Sequence, residues 1–163
     1  MKIGIVVQCP SPHQKVLLDS LFKVDGIDPR IAYAYADSPG RNWGTPKADG
    51  PTAMLPYRIG PGCTAKLRDW VRSERCDVWV LGSVFTCLRT QLLANVLQES
   101  GRRWVFLGEP PRPRTGLRRT IRDYVLARVV KRCHGVIATG TESARRYQVL
   151  LGDSCPVTSV PYY

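Results

Sequence analysis

Strand-length apolar runs alternate along this chain with segments whose apolar residues recur at helical spacing. That alternation leaves few folds open besides a parallel sheet covered by helices on both faces, an α/β architecture. Residues 2–7, KIGIVV, read as the first strand. Ser11-Pro12-His13-Gln14 then offers a helix start: Ser11 as cap, Pro12 at the first helical position, and Gln14 reaching back to close a capping box. Leu17, Leu18, Leu21 and Phe22 form the stripe that this helix should bury, Gly26 ends it, and 30–36 reads as the second strand. Further on, 64–75 is expected as a helix with Leu67, Trp70 and Val71 inward, and 77–82 as an apolar strand of the buried parallel type. Thr86 caps the next predicted helix, which presents Leu88, Leu92, Leu93, Val96 and Leu97 before Gly101 stops it. The cycle then repeats: a strand at 104–107, a helix over 117–132 and a strand at 135–138. Thr139-Gly140-Thr141-Glu142 opens a helix to about 151 with a second capping box, and 156–160 is a last strand.

Residues 37–62 break the pattern, because these 26 positions hold five Gly and five Pro. A loop of this length in a compact domain is usually functional. The whole chain, 163 residues, is read as one domain, and its 44% hydrophobic and 23% charged content excludes a disordered or low-complexity chain. No apolar run reaches the roughly 18 residues that span a bilayer, and 3–7 is too short for a signal-peptide core, so a cytoplasmic location is expected. Cysteines at 9, 63, 76, 87, 133 and 155 show neither a C-x-x-C pair nor zinc-ribbon spacing, and with only two histidines no metal site is predicted. Reduced, mostly buried thiols are the expectation. The stop immediately after a strand points to a chain cut at a domain boundary.

In an open parallel sheet, ligands bind beyond the C-terminal strand ends, here after Val7, Ala36, Gly82, Leu107 and Ala138. Neither a G-x-G-x-x-G turn nor a P-loop follows the first strand, and no Ser-His-Asp order or D-x-D occurs. His13 sits in a first helical turn, where backbone N–H groups favour an anion, and either orients a polar ligand or is a surface histidine. Glu109, held between Gly108 and Pro110-Pro111, is placed to orient an acceptor hydroxyl or take its proton; an ion pair with Arg112 or Arg114 is the other reading. Thr139, Gly140, Thr141 and Ser143 offer hydroxyls and amides to phosphate or sugar oxygens at a second helix start, although capping alone explains Thr139 and Glu142.

The net charge of +11 implies an anionic partner. Ten of the basic residues fall between Arg102 and Arg132 against only Glu109 and Asp123, a local excess of +8. A helical wheel sets Arg118, Arg119 and Arg122 away from Leu117, Ile121 and Tyr124, while Arg128 and Arg132 fall toward the apolar side. With Arg112 and Arg114 these arginines form a patch suited to anionic lipid or another polyanion; a solvated arginine-rich face is the plain alternative.

Three segments together, Cys9-Pro10-Ser11-Pro12-His13-Gln14, Ala36-Asp37-Ser38-Pro39-Gly40-Arg41-Asn42-Trp43-Gly44 and Arg132-Cys133-His134-Gly135-Val136-Ile137-Ala138-Thr139-Gly140, resemble the N-terminal half of bacterial GT-B glycosyltransferases of the family-four type. The closing Val160-Pro161-Tyr162-Tyr163 is similar to that family's linker into a second domain. The chain departs from the family in carrying Pro10-Ser11-Pro12 where relatives often have paired glycines, and Glu109 where a histidine is common.

The resemblance implies a Rossmann-like domain that binds the sugar acceptor. The nucleotide-sugar donor would be held mainly by a C-terminal Rossmann-like domain that this chain lacks, together with that domain's E-x7-E motif. It also implies metal-independent transfer with no cofactor, an isolated chain that transfers little or nothing, and acceptors that are cell-envelope, lipid-linked or other glycans. Within that frame His13, Arg41, Trp43 and Glu109 are expected to line the acceptor side, since a guanidinium grips phosphate or hydroxyls and an indole stacks on a sugar face. The arginine patch would then rest peripherally on the inner membrane face, a partner preferred over nucleic acid. The alternative is a stand-alone, non-catalytic basic α/β module that binds nucleic acid or an anionic membrane.

Overall fold

The computed structural model describes residues 1–36, 50–56, 59–82, 87–109 and 115–161. The side chains of His13, Arg118, Arg119 and Arg122 lie outside that description. The described residues form seven strands and five helices, in the order β1 (Lys2–Val7), α1 (Pro12–Leu21), β2 (Asp28–Tyr33), β3 (Thr52–Met54), α2 (Cys63–Glu74), β4 (Val78–Gly82) and α3 (Leu88–Glu99). Then follow β5 (Trp104–Gly108), α4 (Gly116–Val130), β6 (Val136–Thr139), α5 (Thr141–Leu151), a 3-10 turn (Gly152–Ser154) and β7 (Val157–Val160). The strands form one sheet in the order β3-β2-β1-β4-β5-β6-β7, and each neighbouring pair is parallel. This is the Rossmann-like α/β fold expected from the alternation.

The strands lie where they do because both faces of the sheet are covered. Along β1 the side chains alternate: Ile5 and Val7 join Leu18, Ile31 and Tyr33 in one cluster, while Val6 belongs to the larger core with Trp79, Leu93, Trp104 and Phe106. Gly4 pairs with Trp79 across the β1–β4 ladder, and a Cβ at position 4 would run into the Trp79 indole. The absent side chain is therefore what lets that ring lie flat against β1. The Trp79 ring in turn meets Trp70 of α2 edge-on, with centroids 5.1 Å apart.

Several local expectations change. The segment 37–62 contains β3, a three-residue edge strand that extends the sheet beyond β2. Helix α1 ends at Leu21, and Gly26 lies in the turn beyond it at φ +78. Two leucines of the predicted buried stripes face solvent instead, Leu17 at 47% and Leu88 at 48% exposure. All six cysteines are free thiols and five are buried, leaving Cys63 half-buried. Cys133 and Cys155, distant in sequence, bring their sulfurs to 3.5 Å between the ends of α4 and β7. No described helix is long and apolar enough to cross a membrane.

Candidate functional site

The sheet order reverses between β1 and β4, with β2 and β3 on one side and β5 to β7 on the other. The crevice beyond the C-terminal strand ends at that reversal is where this class of sheet binds ligands. Helices α1 and α3 both begin there. Ser11 caps α1, its Oγ accepting from the Gln14 backbone N–H at 3.3 Å, with Pro12 in the first turn. The reciprocal half of the capping box is not formed, since Gln14 Oε1 is buried with no hydrogen-bond partner. His13 is carried on the first turn of α1.

Glu109 follows the last residue of β5, and its side chain is exposed. What lies behind it is rigid. The Gly108 carbonyl accepts from Thr139 Oγ1 at 3.2 Å and from Ser143 Oγ at 3.3 Å, and the Tyr147 hydroxyl donates to the Glu109 carbonyl at 3.1 Å. Ser143 and Tyr147 are fully buried, and the Tyr147 ring meets Phe106 edge-on at 6.0 Å. Burial pushes the Tyr147 phenol well above its usual range, and the charge of Glu109 adds to this. Gly108 itself must be glycine, because a Cβ there would overlap the Tyr147 hydroxyl and the Phe106 ring. Three hydroxyls thus hold the backbone from which the Glu109 carboxylate projects.

This arrangement corrects the second capping box. Thr139 spends its hydroxyl on Gly108, and α5 starts from Gly140 at φ +79 with no side-chain cap. Glu142 turns instead to Arg145 at 3.0 Å and Arg146 at 2.7 Å, whose hydrogen bonds hold its carboxyl down to about 2. Thr141 is exposed at the start of α5, which has no side-chain cap.

A second cluster, which the sequence reading missed, lies beyond β2 and β4. The Cys87 sulfur stands 3.7 Å from the Tyr35 hydroxyl, and the Arg89 guanidinium stacks 4.7 Å over the Tyr35 ring while donating to the Ala34 carbonyl. Burial raises the Cys87 thiol, but the nearby Thr90, the Tyr35 hydroxyl and the backbone at the start of α3 favour its ionised form and outweigh that. The thiol ends below its ordinary value. No local motif announces this cluster, since Tyr35 and Cys87 meet only through the strand order.

Of the other predicted site residues, Arg41, Trp43, Arg112 and Arg114 lie outside the described residues. Arg118, Arg119 and Arg122 fall on α4. That helix turns Leu126 and Val130 into the core and exposes Leu117 (74%), Ile121 (54%) and Tyr124 (64%). Arg128, Lys131 and Arg132, exposed as well, lie further along and beyond the C-terminal end of the same helix. Among the described residues, no group of three His, Cys, Asp or Glu side chains is placed to hold a metal ion.

No family model matches the sequence, and no curated protein matches it. In structure the chain is similar to the UDP-GlcNAc 2-epimerase from Methanocaldococcus jannaschii, with a TM-score of 0.60 at 12% identity over 98% of this chain. The match takes in 45% of the epimerase chain, so the present chain spans less than half of that protein's length. The likeness is one of fold: a GT-B-like, Rossmann-type half.

Proposed function

We propose that this chain is the acceptor-binding half of a sugar-transferring enzyme of GT-B architecture. Such an enzyme moves a glycosyl group from a nucleotide-sugar to a cell-envelope, lipid-linked or other glycan acceptor. The observation that supports this best is the placement of Glu109: an exposed carboxylate on a backbone held by Thr139, Ser143 and Tyr147, at the ligand-binding edge of the sheet. The GT-B-like likeness to a protein named for a UDP-sugar reaction is consistent with sugar chemistry.

In this reading Glu109 accepts the proton of the acceptor hydroxyl as that oxygen attacks the anomeric carbon and the nucleoside diphosphate departs. A fixed backbone limits the reorganisation this step requires. His13, Arg41 and Trp43 orient the acceptor. Thr139 and Gly140 shape the turn beside it, and the exposed Thr141 at the start of α5 meets a sugar or phosphate oxygen. The donor is held chiefly by a second domain.

The test is sugar transfer by the full-length gene product from a panel of nucleotide sugars, comparing wild type with Glu109→Gln. General-base loss lowers turnover by about 10²–10⁴-fold, with the melting temperature unchanged because the side chain is exposed. Unchanged turnover removes Glu109 from the mechanism, and epimerisation without transfer replaces the transferase reading with an isomerase one.

A second reading, a membrane-surface module, is favoured by α4. Leu117, Ile121 and Tyr124 are spaced i, i+4, i+7 and all face solvent, with Arg128, Lys131 and Arg132 exposed further along. An apolar stripe continued by cations fits the boundary of an anionic bilayer. Arg112, Arg114, Arg118, Arg119 and Arg122 add to the charge of this region. Co-sedimentation with phosphatidylglycerol vesicles but not with phosphatidylcholine, abolished by Leu117→Asp with Ile121→Asp, supports it. Binding to nucleic acid that survives those changes and falls steeply with salt would replace it with a polyanion module.

A further inference from the structure

Beyond the C-terminal ends of β2 and β3 lies an open groove of about 700 Å³, on the opposite side of the β1–β4 reversal from Glu109. Met54, Leu55 and Pro56, where the chain leaves β3, supply apolar surface. Lys66, in the first turns of α2, and Arg89, in the first turn of α3, bring two cations to the same groove. The described lining residues include no carboxylate. Arg89 is oriented in advance by its stacking on Tyr35 and its hydrogen bond to the Ala34 carbonyl, so its ordering cost is met before any ligand arrives. Helix α2 opens from Gly62, at φ +76, without a side-chain cap. Cys63, the first residue of α2, also lines the groove, and its thiol is held below the ordinary value by the Gly60 backbone and by Thr64. The described walls of the groove therefore pair two cations with apolar area.

We infer that this groove binds the phosphate of a phosphorylated sugar, with Lys66 and Arg89 taking the oxyanion and the Met54–Pro56 surface taking the carbon skeleton. The inference deepens the acceptor reading and rests on it for the sugar alone; the oxyanion follows from the cations facing the groove. Bare inorganic phosphate would leave the apolar surface unused, so an organic phosphate is the better fit.

Cys63 provides the readout, because the other five cysteines are buried. Alkylation of Cys63 in the native chain is followed by peptide mass spectrometry at constant ionic strength. Iodoacetate, an anion, should modify Cys63 faster relative to neutral iodoacetamide than it modifies glutathione. Glucose 6-phosphate should slow the reaction by about tenfold at roughly ten times its Kd. Glucose alone should not protect. Lys66→Gln, a change at an exposed side chain, should remove both the iodoacetate preference and the protection while leaving the melting temperature unchanged. Pyrophosphate protecting in place of glucose 6-phosphate would keep the oxyanion site but overturn the phosphosugar assignment in favour of a diphosphate. Absence of protection by either phosphate, or protection that survives Lys66→Gln, overturns the site. Protection by glucose alone overturns it too, while leaving the acceptor reading standing.

Discussion

The Tyr147 hydroxyl donates to the Glu109 carbonyl across 3.1 Å, tying the middle of α5 to the residue that follows β5. The bond reaches 38 positions along the chain and is made by a side chain with 1% exposure. Removing only the oxygen keeps the edge-on contact with Phe106 but leaves the carbonyl without that donor. Tyr147→Phe is therefore expected to cost about 1 kcal/mol. For a domain of this size that is a fall of roughly 2–4 °C in melting temperature, read by calorimetry. On the proposed transferase reading, the same variant should lower turnover less than Glu109→Gln does, since it loosens the carboxylate's support without removing it.

Gly4 carries a comparable constraint on the other side of the sheet reversal. The β1–β4 register sets it against Trp79, whose indole occupies the space a Cβ would need. Gly4→Ala should destabilise by about 1–3 kcal/mol through overpacking. Gly60→Ala is the control, because a Cβ there meets nothing within 4 Å. A chemical-denaturation midpoint that falls for Gly4→Ala and not for Gly60→Ala checks the close approach.

The elements legible in the sequence were those whose signal is local. Runs such as Val78–Gly82 and Trp104–Gly108 are buried on one face and half-buried on the other, so their apolar content alone marks them as strands. The edge strand β3 is three residues long, flanked by Pro51 and Pro56, and has the half-exposed burial of an edge, so nothing in its composition separates it from the loop. The capping box over Thr139 and Glu142 failed for a related reason. Both side chains found better partners, Thr139 in the Gly108 carbonyl 31 positions away and Glu142 in Arg145 and Arg146. On α4 the wheel separated the arginines from Leu117, Ile121 and Tyr124, but which side turned inward was decided further along the helix by Leu126 and Val130. Glu109 is legible from its place after an apolar strand; the hydroxyls that hold its backbone come from the end of β6 and from α5, and are assigned only by the β5–β6 pairing.

At the start of α1 the Ser11 hydroxyl is the whole of the side-chain cap, since Gln14 does not reciprocate. Ser11→Ala should cost about 1 kcal/mol, and Ser11→Gly only a few tenths. Because α1 opens at the sheet reversal, hydrogen exchange of the first-turn amides should quicken in Ser11→Ala well beyond the global loss of stability.

The two buried thiols Cys76 and Cys133 set a limit on the alkaline side. Burial first, and then the proximity of Cys155, pushes the Cys133 thiol up to about 12, while burial pushes Cys76 up to about 11. In the unfolded chain both ionise near about 8.5. A folded value above the unfolded one means that the fold favours the protonated form. The associated stability is complete below the unfolded value and is lost as pH rises from about 8.5 toward the folded values of about 11 and 12. Denaturation midpoints measured at intervals from pH 8 upward should therefore fall progressively. Lysines and tyrosines titrate in the same range, so the decisive comparison is with Cys133→Ala and Cys76→Ala. Each variant starts less stable because it opens a small cavity, yet its stability should decline less steeply with pH than the wild type's. An unchanged slope in Cys133→Ala would mean that the sulfur 3.5 Å from Cys155 does not remain a protonated thiol in the folded chain.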